Sequence, residues 1–273
     1  MNFSKELFDA IIVAKKAMKV IMKYYKDHFN IEIKSDKSPV TDADKASNEL
    51  IYNELKSKYP TYAFLTEEMA DNEERLTNDY VWIIDPLDGT EDFIRHDDQF
   101  CINIALSYKG QPAVGVVAIP VTGEIYYASL GCKAYYLAKD SQTPQLIHVN
   151  DKTTDLIQLS SVCHQTEQEL TIFNNHKDRI SSLIKHGSAI KACLIASGKA
   201  ELTFRFGAGS KEWDTCAPQA VVSEAGGIFV TSKLEPITYN KKDVYNRDGF
   251  FIVNSKDNLD SVSYTHLTLP TIA

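Results

Sequence analysis

A chain of 273 residues, 44 % hydrophobic and 24 % charged with only 12 glycines and 9 prolines, has the composition of a globular protein able to bury a substantial core. Its formal net charge of -8, without a lysine or arginine stripe, argues against a binder of nucleic-acid polymer. Five widely spaced cysteines (Cys101, Cys132, Cys163, Cys193, Cys216) never form C-x-x-C, which argues against a disulfide framework and a zinc site and reads as reduced, mostly buried thiols.

The length fits one elaborate domain or two fused lobes, and two lobes are expected. Over residues 3–25, Leu7, Ile11, Ala14, Met18, Ile21 and Tyr25 recur at helical spacing with lysines between them. Lys15, Lys16, Lys19 and Lys23 also interrupt any secretory apolar run, and nowhere do 18 apolar residues follow one another. A cytoplasmic protein without a transmembrane segment is expected, with peripheral contact at the inner membrane face left open. After the polar stretch "IKSDKSP", a second helix is expected over residues 42–58, closed by Pro60. "AFLT" and "VWII" read as short buried strands. "CINIALSY", "AVGVVAIP", "EIYYASL" and "AYYLA" then read as an antiparallel meander.

Beyond about Lys139 the pattern changes. It predicts a strand at "IQLSSV", a helix over "TEQELTIFNNHKDRISSLI", a helix at "AIKACLIAS", a strand at "ELTFRF", a helix at "DTCAPQAVVSEA" and strands at "GIFVT" and "GFFIV". The division expected is an N-terminal α+β lobe over 1–138, a C-terminal α/β lobe over 139–262, and a tail over 263–273. The final stretch "SVSYTHLTLPTIA" carries no periodicity that continues what precedes it and reads as foreign to the fold.

The stretch "WIIDPLDGTEDF" crowds acids at the end of a buried strand. Pro86 restricts the backbone there and Gly89 permits close approach to a ligand, so Asp85 and Asp88 can converge across the turn. Adjacent unpaired carboxylates repel and call for a cation, and oxygen-only donors suit Mg2+. Taken alone, these acids read equally as caps of a turn near Gly89, Glu67 and Glu68 of "LTEEM" as solvated loop charges, and Asp214 of "EWDTCAPQAVVSEAGG" as an N-cap. Asp44 in "TDAD" fits a capping box with Thr41 as well as a catalytic acid, and the sequence leaves both open.

In order, "PVTDAD", "TEE", "WIIDPLDGT" and "WDTCAPQAVVSEAGG" resemble the signature set of the inositol monophosphatase superfamily of Mg2+-dependent, lithium-sensitive phosphatases, over nearly the whole chain to about Ser255. The resemblance implies a layered αβαβα sandwich. It implies that Glu67, Asp85 and the Leu87 carbonyl hold one Mg2+, that Asp85, Asp88 and Asp214 hold a second, and that a third, weaker ion sits near Glu67 and Asp85. Asp44 and Thr90 are implied to orient the attacking water, and the Gly89 and Thr90 amides to receive phosphate oxygens. "SSVCH" with His164, "HGSAIKAC" with Ser188 and Lys191, "LTFRFG" with Arg205 and the "KEWDTCAP" run are similar to the 3'(2'),5'-bisphosphate nucleotidase branch, where Asp214 also faces substrate.

Two departures bear on specificity: Cys163 stands where a small hydroxyl residue is common, and Ala189 where a polar residue is often seen. Alone, Lys191 and Arg205 read as surface residues and His164 as a satisfied histidine. The expected substrate is adenosine 3',5'-bisphosphate, converted to AMP, with its sulfated form alongside, in sulfur metabolism. The alternatives are an inositol or other sugar phosphate and, from another class, a metal-dependent metabolite sensor without turnover. Monomer and homodimer are both left open.

Overall fold

The structure is a computed structural model that describes residues 2–207 and 209–267. Helix α1 (Ser4–Lys26) buries Ala14, Met18 and Ile21 of the expected stripe and half-buries Leu7, Ile11 and Tyr25, while Ala10, Val13 and Ala17 join the buried face. A hairpin of two three-residue strands, β1 (Ile31–Ile33) and β2 (Pro39–Thr41), brackets the polar stretch. The sequence reading placed no element there: "IEI" is only three residues long, and all three are exposed. Helix α2 (Asp42–Lys58) follows, started by a capping box of Thr41 and Asp44.

A seven-stranded sheet then forms from β3 (Ala63–Thr66), β4 (Tyr80–Asp88), β5 (Cys101–Tyr108), β6 (Gln111–Ile119), β7 (Glu124–Ser129), β8 (Ala134–Leu137) and β9 (Gln145–Ile147), in sequence order. The six-residue helix α3 (Thr90–Arg95) leaves the end of β4. Strand β3 runs parallel to β4 and the remaining pairs are antiparallel. The sheet continues to Ile147, past the division expected at 138/139.

A second sheet, in the order β11-β10-β12-β14-β13, contains β10 (Leu156–Ser160), β11 (Ile180–Lys185), β12 (Leu202–Arg205), β13 (Ile228–Thr231) and β14 (Phe250–Val253). Helices α4 (Glu167–Asn175), α5 (Ile190–Ala196), α6 (Glu212–Glu224) and α7 (Lys256–Leu267) complete the chain. The single long helix expected over "TEQELTIFNNHKDRISSLI" is corrected: α4 stops at Asn175, a turn at His176 reverses the chain, and β11 pairs parallel with β10. The expectation that "SVSYTHLTLPTIA" stands apart is corrected in part, because α7 runs to Leu267 and buries Val262; residues 268–273 lie outside the described residues.

The layers follow from which faces are apolar. Helices α1 and α2 pack against Trp82, Ile84, Ile102 and Ile104 on one face of the large sheet. Val81, Ile83, Ala105 and Val117 on its other face meet Cys216, Ala217 and Val221 of α6 and Cys193 and Ile195 of α5. Gly115 makes the close approach possible, since a Cβ there would lie 2.3 Å from the Ala217 carbonyl oxygen. Leu159, Phe229 and Ile252 of the second sheet close the middle layer from the other side. Beyond that sheet, Ile172 of α4 and Leu259 of α7 cover Leu156, Leu202, Phe251 and Val253. The result is the αβαβα sandwich, and no described helix is long and apolar enough to cross a membrane.

Candidate active site

Strand β4 delivers the acidic stretch without ending at Asp85, as a simple turn would. Asp85 faces Asn103 and Asp88 faces Cys101, so three steps on β4 oppose two on β5, which makes a bulge around Pro86 and Leu87. Proline is tolerated there because the bulge asks it for no ladder hydrogen bond. Ser47 of α2 donates to the Pro86 carbonyl at 2.9 Å and steadies the bulge from behind. Gly89 then adopts φ of +92°, which side chains disfavour, and turns the chain into α3.

This geometry opens a cavity of about 460 Å³ between the halves of the chain, lined by Glu67, Asp85, Leu87, Asp88, Gly89 and Thr90 from the first half. His164, Ser188, Lys191, Arg205 and Asp214 line it from the second. Asp44 stands behind this lining, 1 % exposed, and accepts the Thr90 hydroxyl at 2.9 Å. That hydroxyl also approaches the Leu87 carbonyl at 3.2 Å. The ligand, catalytic and substrate-binding candidates of the sequence therefore lie in or directly against one cavity, while Glu68 is not part of its lining.

Its electrostatics are those of crowded carboxylates. Asp85 is pushed well above the usual range by burial and then by Glu67, Asp88 and Asp214. Asp214 is raised to about 8 by burial, Asp88 and Glu67, against the opposing pull of the Lys211 amide and ammonium. Asp88 is raised by burial although the Ala189 amide at 2.6 Å, Lys191, Cys101 and Asn103 work the other way. Burial also raises Asp44, against the hydrogen bonds from Thr41 and Thr90. Together with the Leu87 carbonyl, Glu67, Asp85, Asp88 and Asp214 offer oxygen donors alone, and a divalent cation relieves the repulsion that raises them; the donor set fits Mg2+. Among the described residues no group of three or more already closes into an ion cage.

Lys34, which the sequence reading passed over, occupies the Glu67 side of the cluster. Its ammonium lies 2.9 Å from Glu67 and 2.6 Å from Glu68, brought there by the β1–β2 hairpin. Burial disfavours its charge, yet the two carboxylates raise its pKa. Glu68 is itself pushed up to about 7, chiefly by burial. The same hairpin sends Asp36 to Lys211 at 3.3 Å, across the cavity mouth. Lys34 stands in no motif, and an exposed three-residue strand gives no signal of where its loop lands.

The opposite wall is cationic. Lys191 directs its ammonium to the carbonyls of His186 and Ser188 at 3.1 and 2.8 Å, and burial lowers its pKa against the pull of Asp88. Arg205 donates to the His164 carbonyl at 2.9 Å. The His164 ring is held below its usual range by burial and Arg205, hence neutral at neutral pH. Of the cysteines, all are free; Cys101, Cys193 and Cys216 are buried, Cys132 and Cys163 exposed.

Residues 4–259 match the model of the inositol monophosphatase family. The chain is 33 % identical to the 3'(2'),5'-bisphosphate nucleotidase CysQ of Shigella flexneri, over 87 % of this chain and 95 % of that one. It is 32 % identical to inositol monophosphatase 1 of Solanum lycopersicum, over 81 % and 82 %. Among solved structures, CysQ from Bacteroides thetaiotaomicron superposes with a TM-score of 0.80 at 32 % identity, over 92 % of this chain and 98 % of that one.

Proposed function

The chain belongs to the inositol monophosphatase family, and from that premise we propose that it is a Mg2+-dependent phosphomonoesterase converting adenosine 3',5'-bisphosphate to AMP and phosphate. The observation that carries this reading is the meeting, in one cavity, of carboxylates from both halves of the chain beside the Thr90–Asp44 hydrogen bond. The choice of substrate draws on the bisphosphate nucleotidase relatives and on the cationic wall of Lys191 and Arg205. Free thiols fit a reducing, cytoplasmic setting.

Glu67, Asp85, Asp88, Asp214 and the Leu87 carbonyl are the residues that would hold the ions. When bound, Mg2+ supplies neutralisation of the phosphoryl charge and a lowered pKa for water. The remaining work falls to the chain. Thr90 donates a hydrogen bond from its hydroxyl to Asp44, which leaves the lone pairs of the threonine oxygen free to accept a hydrogen bond from water and so to orient it. The backbone amides of Gly89 and Thr90 orient the phosphoryl oxygens. Across the cavity, Arg205 and Lys191 offer charged donors to the phosphate that is not cleaved, Ser188 adds a neutral donor, and the neutral His164 ring meets the nucleoside.

Phosphate release measured on adenosine 3',5'-bisphosphate and inositol 1-phosphate, with Mg2+ and with chelator, tests the proposal. Turnover of the nucleotide that stops with chelator is expected. Preference for inositol 1-phosphate by about tenfold or more overturns the substrate, and absence of any Mg2+-dependent release overturns the reaction.

A further inference from the structure

Arg75 and Glu212 carry buried charges that neither line the cavity nor pair directly with each other. The Arg75 side chain is 1 % exposed and Glu212 is 0 % exposed. Arg75 forks onto Asp71, with Nε to Oδ1 at 2.6 Å and Nη2 to Oδ2 at 2.8 Å. Its other donors cross to the second half of the chain, reaching Asn240 Oδ1 at 2.8 Å and the Lys241 carbonyl at 2.9 Å. Asn240 returns its side-chain amide to the Arg75 carbonyl at 2.9 Å. Glu212 holds the same short turn from the other side: its two oxygens accept the backbone amides of Asn240 and Lys241 at 2.6 and 2.8 Å.

The turn between them is held in an uncommon shape. Asn240 has φ of +60°, a left-handed conformation that asparagine tolerates better than most residues. The residues after it support the start of α6: Val244 accepts the Glu212 amide at 2.9 Å, and the Asn246 side chain donates to the Lys211 carbonyl at 2.9 Å and Thr215 Oγ1 at 3.1 Å. Asp214 lies in this first turn of α6, two residues beyond Glu212. On the Arg75 side, the segment closed by the Asp71 fork leads back to Glu68 and Glu67.

We propose that Arg75 and Glu212 are positioning residues: acting through the Asn240–Lys241 turn, they set the distance between the arm bearing Glu67 and the helix start bearing Asp214, and so the affinity for divalent ions. The inference rests on reading Glu67 and Asp214 as ion ligands. Buried hydrogen-bond partners that orient ligating side chains change metal affinity by about 10 to 100-fold when removed. A residue that served folding alone would change stability and leave affinity in the folded protein untouched.

The test is Mn2+ binding to the full-length, substrate-free protein, titrated calorimetrically or by electron paramagnetic resonance, beside nucleotide kinetics at saturating Mg2+. Arg75→Lys keeps the charge and loses the fork. Asn240→Gly keeps the left-handed backbone and loses the side chain that Arg75 holds, and it carries the test should Arg75→Lys not fold. Both are expected to raise the Mn2+ Kd by about tenfold and to leave kcat at saturating Mg2+ within about twofold. A Mn2+ Kd unchanged in a folded variant overturns the inference, as does a loss of kcat that saturating Mg2+ does not restore. No Mn2+ binding by the unaltered protein overturns the ion-ligand reading itself and the inference with it.

Discussion

Asp44 holds Thr90 with one carboxylate oxygen, at 2.9 Å from the threonine hydroxyl, while its other oxygen accepts the amide and hydroxyl of Thr41 at 2.8 and 2.5 Å. The cap of α2 and the back of the cavity therefore share a single side chain. A capping role does not compete with a role toward Thr90, because each uses a different oxygen.

That division predicts a split outcome. Asp44→Asn keeps an acceptor for the cap, so the unfolding free energy falls by only about 1 kcal/mol, whereas kcat falls by about 100-fold or more. Thr90→Val, which preserves shape without the hydroxyl, is expected to show the same loss of kcat with the fold intact by circular dichroism. A kcat within threefold of the unaltered enzyme for Thr90→Val removes the pair from the reaction.

Asp85 is raised by burial and by Glu67, Asp88 and Asp214, so its charge is a burden whenever no cation is present. Asp85→Asn is expected to abolish turnover and, in chelator, to raise the melting temperature by a few degrees, about 1 kcal/mol. Added Mg2+ should stabilise the unaltered protein and leave the variant unmoved. Differential scanning calorimetry with and without Mg2+ checks both halves; a variant less stable than its parent in chelator contradicts the crowding argument.

Arg205 reaches the cavity from the wall opposite the acids and donates to the His164 carbonyl. Arg205→Ala should raise KM for adenosine 3',5'-bisphosphate by about tenfold or more, with kcat changed far less, because the lost contact is made in ground state and transition state alike. Initial rates over a substrate series give the answer, and an unchanged KM rejects the assigned role.

Stability should also carry an acid-side signature from Asp9, far from the cavity. Burial works to raise its pKa, but hydrogen bonds from Lys58 and from Tyr59, the latter at 2.8 Å, and the Lys58 charge win, so the folded value lies below 3.8. A carboxyl lowered on folding contributes stability above its unfolded value of about 3.9 and loses it as pH falls through the folded value. Asp9→Asn is expected to cost about 1 to 3 kcal/mol at neutral pH and to lose less stability than the parent on going from pH 4 to pH 2. Urea unfolding at those pH values measures it; parallel losses in both proteins refute the assignment.

Much of the fold was written in local pattern. The lysine-broken apolar stripe of α1, the alternating runs of β5 to β7 and the Asp-Pro-Leu-Asp-Gly-Thr turn each depend on residues within a few positions of one another. Where pattern misled, a distant partner had decided. Strand β11 is spaced like a helix, yet it lies beside β10 because Leu156 and Ile180 pair across an intervening helix. Strand β1 is exposed at all three residues, and the burial of Val40 and Thr41 on β2 comes only with the assembled fold.

The sequence by itself determined which groups were available: oxygen donors on a buried strand end, a glycine where the backbone must turn left-handed, a threonine and an aspartate suited to both cap and cavity. Only the tertiary structure decided whom they meet. Thr90 joins Asp44 across 46 residues, Lys34 joins Glu67 across 33, and the Ala189 amide reaches Asp88 across 101. Contacts over such separations arise from the packing of whole layers, and no short-range periodicity records them.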